Sequence, residues 1–149
     1  SIRAVTNELR PALLDDLGLV PALRSLVTEF STRTKLDVHL ALPPDGSIPP
    51  VAPDAELALF RALQEGLANI ARHAQAHHIE IALAAYGSDI ILTLADDGVG
   101  FTPGTPATGG MGLTGMRERV AAEGGSVTIE SRASGGTTLR ITLGTRKAE

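Results

Sequence analysis

Two alternating runs joined by a short turn constrain this chain more than any other feature. Ile79, Ile81 and Leu83 take every second place in the first run, and Ile90, Leu92 and Leu94 do so in the second. Gly87-Ser88-Asp89 lies between them. Successive side chains on a strand point to opposite faces, so the pattern predicts a hairpin with one apolar face, which must be covered. The flanking segments offer the cover. Leu23, Leu26, Val27 and Phe30 share a face of a helix running from about Leu19 to Thr32. Leu59, Leu63, Leu67, Ile70 and Ala74 form the stripe of a longer helix, expected to be capped by Asp54 and to reach about Ala76.

The rest of the chain fits the same layer. Ile2 to Leu14 reads as the end of a helix interrupted by Pro11, followed by a turn at Asp15-Asp16-Leu17-Gly18. Leu36, Val38, Leu40 and Leu42 mark a half-buried strand, and Pro43 to Pro53 a loop. Leu113 to Glu123 is helical and stopped by Gly124-Gly125. Closing strands carry Val127 and Ile129, then Leu139, Ile141 and Leu143. Hairpins beside helices, instead of strict strand–helix alternation, predict an α+β fold. The expected form is a two-layer α/β sandwich, a mixed and mostly antiparallel sheet with helices packed on one face.

Composition excludes several classes of function. A length of 149 residues suits one well-cored domain. A net charge of −4 gives no electrostatic footprint for nucleic acid, and three Phe, one Tyr and no Trp leave little for base stacking. Without cysteine there are no disulfides, thiolate metal sites or thiol nucleophiles. No apolar run approaches the roughly 18–20 residues of a membrane span, and no signal-peptide pattern is present. The opening at Ser1, inside a helical pattern, suggests a piece of a longer protein. Sixteen glycines exceed the average usage of about 7%. They cluster between Gly98 and Gly136, where the backbone must bend tightly or approach something closely.

Chemistry concentrates at two places. On the long helix Glu65, Asn69 and His73 are four apart and form a row at the edge of the apolar stripe, with Arg72 beside them. Asn69 offers a hard oxygen suited to magnesium, Arg72 suits phosphate, and Glu65 is placed to orient or deprotonate an attacking group. A solvated face with an i,i+4 hydrogen bond is the alternative. On the second hairpin strand Asp96 shares the core face of Ile90, Leu92 and Leu94, and Thr137 shares that of Leu139, Ile141 and Leu143. A carboxylate aimed into a core needs a hydrogen-bond donor. A flat heterocycle with an exocyclic amine, such as adenine, meets that need; so does the backbone of Gly98, if Asp96 merely forms a turn.

Gly98 and Gly100 would let the backbone pass close to a bound ring. The stretch from Val99 to Gly110 reads as a mobile lid. Gly110, Gly112 and Gly115 spell G-x-G-x-x-G, but no strand precedes them as a dinucleotide fold requires. Free N–H groups at the start of the following helix remain suited to phosphate. His73 and His77 lack a third metal ligand nearby, and His39, on the polar side of its strand, reads as solvated.

In this order the residues resemble the catalytic ATP-binding domain of two-component sensor histidine kinases. That domain belongs to the Bergerat or GHKL superfamily, which includes gyrase, Hsp90 and MutL. The subfamily resembled pairs with helix-turn-helix response regulators. Glu65 to Ala74 is similar to its N box, and Asp96 to Phe101 to its first glycine box. Gly110-Met111-Gly112-Leu113 resembles the second glycine box, and Gly136-Thr137-Thr138-Leu139 the last. Leu9-Arg10-Pro11 with Leu14 to Leu19 resembles the segment joining dimerisation helices to that domain. The resemblance implies residues 1–18 as linker and 19–149 as the ATP-binding domain.

It also implies roles. Asp96 would accept from the adenine amine with Thr137 nearby, Asn69 would ligate Mg2+, and Arg72 and His73 would touch phosphate or sugar. Glu65 would assist phosphoryl transfer, while Gly98, Gly100, Gly110, Met111, Gly112 and Leu113 would shape pocket and lid. The cofactors implied are ATP and Mg2+. Implied partners are an upstream dimerisation domain and a response regulator, with no nucleic acid, no membrane contact in this segment, and a homodimeric parent protein in the cytoplasm, with or without a membrane anchor. No histidine followed by an acidic residue is present to act as phosphoacceptor. A kinase half-reaction module is therefore expected. The rival readings are a nucleotide-driven switch that phosphorylates no histidine, an anti-sigma-type serine kinase, and a degenerate scaffold.

Overall fold

The computed structural model describes residues 12–44, 48–98, 110–132 and 135–144; at 13, 73, 74, 110–113 and 132 only the backbone is described. Two helices open it, α1 (Ala12–Leu17) and α2 (Leu19–Thr34). They are divided by Gly18 at φ 89°, a conformation open to glycine and strained for other residues. Asp15, Asp16 and Leu17, expected in a turn, instead complete α1, and the chain turns at Gly18 alone. Strand β1 (Asp37–Ala41) follows, and then α3 (Pro53–Asn69).

Helix α3 starts one residue before the expected cap. Pro53 occupies its first turn, where a missing N–H costs nothing, and Ala52 is the N-cap. Asp54 therefore lies inside the helix, where it and Glu56 put negative charge on the positive end of the dipole. The far end differs too. From Ile70 to Ala74 the backbone forms a π-helical turn, closed by Gln75 at φ 52°. Such single turns insert an extra residue and re-aim the side chains that follow.

Strands β2 (His78–Tyr86) and β3 (Asp89–Asp96) form the expected hairpin, and α4 (Gly110–Ala122) precedes β4 (Ser126–Arg132) and β5 (Gly136–Gly144). The sheet order is β1-β2-β3-β5-β4. Only β1 and β2 pair in parallel, with Asp37 opposite His78; β2–β3, β3–β5 and β4–β5 are antiparallel. Register places Ile81 beside Leu94 and Leu83 beside Leu92, continuing to Leu139 and Ile141 on β5. These side chains are buried in one cluster with Leu59, Leu63 and Leu67 of α3, Leu23 of α2 and Val120 of α4. Leu14 of α1 is buried in the same cluster.

The opposite sheet face carries exposed Asp37, His39, His78 and Glu80. The molecule is a two-layer α+β sandwich, as the alternation predicts. No helix among the described residues is long and apolar enough to cross a membrane.

A candidate nucleotide site between helix and sheet

The end of α3 meets the ends of β3 and β5 at a recess lined by Gly66, Ile70, Leu94, Asp96, Ile129, Thr137 and Leu139. Counting the space open to solvent at its mouth, it holds about 340 Å³. The absence of a side chain at Gly66 helps to make it. A methyl there would overlap the Leu94 Cδ2 methyl, so a larger residue would have to displace that side chain.

Most of the wall is apolar, and one end is not. Asp96 is the last residue of β3 and stands opposite Thr137 in register. Its Oδ1 accepts the Gly98 N–H at 2.7 Å. Burial pushes its carboxyl above the usual range, and Asp97 beside it pushes the same way; the N–H groups of Gly98 and Thr137 pull against them. A carboxylate has about four acceptor sites, so these two bonds leave capacity for a donor entering the recess. The bond to Gly98 is the one expected of a turn-forming Asp96. Thr137 Oγ1 lies 3.1 Å from Ser131 Oγ, a hydroxyl pair at the same end.

Asp97 has a different task. Its Oδ1 accepts the N–H of His77 at 2.9 Å and of His78 at 3.0 Å, tying the end of β3 to the start of β2. Those bonds, His78 first, hold its carboxyl below the usual range. Asp96 is thus held in place by its neighbour.

Glu65 and Asn69 directly precede Gly66 and Ile70, so the polar row runs alongside the recess wall. Arg72 joins the two: its Nη2 donates to Asn69 Oδ1 at 2.9 Å and lies 3.6 Å from Glu65 Oε2. A cationic guanidinium thus bridges two hard oxygens. Such an oxygen pair suits a small divalent cation that takes one or two protein ligands and fills its shell with phosphate and water. The predicted residues brought together here are Glu65, Asn69 and Arg72 in one group, and Asp96, Gly98 and Thr137 in the other.

Gly100 and the His73 side chain lie outside the described residues. Gly110, Met111, Gly112 and Leu113 form the first turn of α4, three residues ahead of the expected start, and their side chains also lie outside. Sequence reasoning missed Gly66, Asp97 and the apolar lining of Ile70, Ile129 and Leu139. Glycine at mid-stripe in a helix, where it costs about 1 kcal/mol relative to alanine, was the available signal for the first.

The recess thus joins one carboxylate to mostly apolar walls, beside a helical row of polar side chains and between helices and a mixed sheet. The chain belongs to the histidine kinase-, DNA gyrase B- and HSP90-like ATPase family, whose model matches residues 54–147. Its curated relatives include the signal transduction histidine-protein kinase/phosphatase UhpB of Salmonella typhimurium, 38% identical over 144 residues, covering 96% of this chain and 28% of that protein. DegS of Brevibacillus brevis, of the same description, is 34% identical over 142 residues, covering 95% and 36%. The chain thus spans about a third of the length of these relatives. Among solved structures, the histidine kinase domain of a blue-light activated histidine kinase from Erythrobacter litoralis superposes with a TM-score of 0.70 at 16% identity, covering 83% of this chain and 59% of that one. That similarity bears on the fold.

Proposed function

We propose that the chain is the ATP·Mg-binding catalytic domain of a sensor histidine kinase. In this reading it donates the γ-phosphoryl group to a histidine on an upstream dimerisation domain, for relay to a response regulator in the cytoplasm. Residues 1–18 would connect the two domains of a homodimeric parent protein. The observation that carries the reading is the half-buried Asp96, beside Thr137, at the polar end of a mostly apolar recess. The N–H groups of Gly98 and Thr137 use part of the Asp96 acceptor capacity, and the adenine amine would use part of the rest. Ile70, Leu94, Ile129 and Leu139 supply apolar contact for the ring faces.

Glu65, Asn69 and Arg72 would serve the triphosphate. Magnesium, when bound, neutralises phosphate charge, and Asn69 Oδ1 with Glu65 nearby fits its preference for oxygen. Arg72 would leave Asn69 for the phosphates, exchanging an exposed contact for a charge-assisted one. Transfer then breaks the bond between the γ-phosphorus and the β–γ bridging oxygen, and ADP departs. A new bond forms to the acceptor imidazole nitrogen, and Glu65 takes the imidazole proton. His73 and the 110–113 turn would contact phosphate or sugar.

The test is transfer of labelled γ-phosphate from ATP to a supplied dimerisation domain bearing its histidine. Label on that histidine is expected, and the Glu65→Gln variant should slow transfer by about 10²–10⁴-fold while leaving nucleotide affinity within twofold or so. Nucleotide binding without any transfer would instead indicate a conformational switch of the same superfamily.

A further inference from the structure

On the sheet face turned away from the recess, Asp37 and His39 of β1 meet His78 of β2. Parallel pairing sets Asp37 directly beside His78, and His39 lies two residues on, so all three side chains share one face. Both imidazoles direct Nε2 at the same atom: His78 Nε2 is 3.1 Å and His39 Nε2 3.6 Å from Asp37 Oδ2. The rings stack with centroids 5.2 Å apart and planes 28° from parallel. The three donor atoms all lie within 4.8 Å of one another.

We propose that Asp37, His39 and His78 form a surface site for a divalent transition metal, Zn2+ foremost. Zinc binds imidazole nitrogen and carboxylate oxygen at about 2.0–2.2 Å, so ligand atoms at tetrahedral angles stand about 3.3–3.5 Å apart. The two distances from Asp37 Oδ2 bracket that spacing, and a small rotation of exposed side chains completes it. Two imidazoles with one carboxylate select zinc, cobalt or nickel over magnesium and calcium, which prefer all-oxygen shells. The remaining positions face solvent and are open to water. The ligands stand on paired strands, with the Asp37 N–H bonded to His77 O at 3.1 Å, so the backbone presents them already assembled. A bound ion would clip β1, an edge strand, to β2. The site is separate from the nucleotide site and does not depend on the function proposed above.

Titration of the metal-free chain with Zn2+ and Co2+ tests this. One ion per chain is expected, with a visible cobalt spectrum of nitrogen–oxygen ligation and a thermal midpoint that rises with free Zn2+. His39→Ala and His78→Ala should each weaken binding by roughly 10-fold or more, since even partners behind the metal ligands cost 10–100-fold. His77→Ala should bind as the wild type does. All three positions are exposed, and circular dichroism without metal checks that each variant folds. Saturable binding retained in the His39→Ala/His78→Ala double variant would overturn the proposal, as would no one-to-one binding in the wild type at micromolar Zn2+.

Discussion

At the scale of the residue, the site turns on one carboxyl held out of its ordinary range. Burial raises the Asp96 pKa because the charged form loses hydration, and the N–H groups of Gly98 and Thr137 offset only part of that. The sign of the pH effect follows. In the folded chain the charged form is disfavoured, so stability is gained, not lost, as the pH falls through the raised value. In the function proposed above nucleotide binding would run the other way, because an amine donor needs the ionised acceptor. Affinity should therefore fall with pH beginning above the range of an ordinary aspartate, and binding there should release a proton. Calorimetry in buffers of different ionisation enthalpy measures that proton directly. Asp96→Asn should weaken binding by about 1–3 kcal/mol, the cost of a buried acceptor lost or left mismatched. It should also abolish the part of the pH dependence that the wild type shows and the variant does not. An unchanged pH profile would show that Asp96 does not meet the ligand.

At the scale of the element, the site is made where α3, β3 and β5 run close together, and glycine permits the approach. In Gly66→Ala, helix propensity gains up to about 1 kcal/mol. The new methyl displaces the Leu94 side chain, and overpacking of this kind costs about 1–3 kcal/mol. Leu94 lines the recess, so the expected result is a modest change in midpoint temperature with a disproportionate loss of nucleotide affinity. Asp97 acts at the neighbouring junction. Its folded pKa is depressed, so its contribution is complete above the ordinary value of 3.8 and is lost as the pH falls from there through the lower folded value. Asp97→Ala should lower the midpoint at neutral pH and flatten its decline in acid.

These elements also show what the sequence could tell. The hairpin, the inward face of Asp96 and the row of Glu65 and Asn69 were legible, because periods of two and of 3.6 residues are written in apolar spacing. The π-turn at Ile70–Ala74 was not, since one extra residue at a helix end leaves that spacing intact. The start of α3 was misread because Asp54 is both a good cap and a good first-turn residue. The contact of His39, expected to be solvated, with His78 depends on parallel pairing of β1 with β2 across an intervening helix. Nothing local encodes that pairing.

At the scale of the whole molecule, Ile70, Leu94 and Leu139 belong both to the core and to the recess wall, while much of the core stands clear of the recess. Leu23, Leu63, Leu92 and Ile141 are completely buried and none lines the recess. Stability and binding should therefore separate under mutation. Leu63→Ala removes a fully buried side chain, for an expected loss of about 2–5 kcal/mol depending on how far the surroundings collapse. Domains of this size hold only about 5–15 kcal/mol in reserve, so the variant remains folded at room temperature but melts early. Its nucleotide dissociation constant, measured well below its midpoint, should match the wild type. Ligand at 100 times that constant stabilises a binding-competent fold by about 2.7 kcal/mol, so saturating ATP·Mg should return much of the lost midpoint. Asp96→Asn should show the reverse pattern: a near-normal midpoint without ligand and a smaller rise at the same ATP·Mg concentration, about 0.3–1.8 kcal/mol for the affinity loss given above. Thermal melts of the two variants with and without nucleotide, read beside calorimetric affinities, distinguish the cases. If Leu63→Ala lost affinity in proportion to stability, the recess would have to be shaped by the whole core and not by the local meeting of Gly66, Leu94 and Asp96.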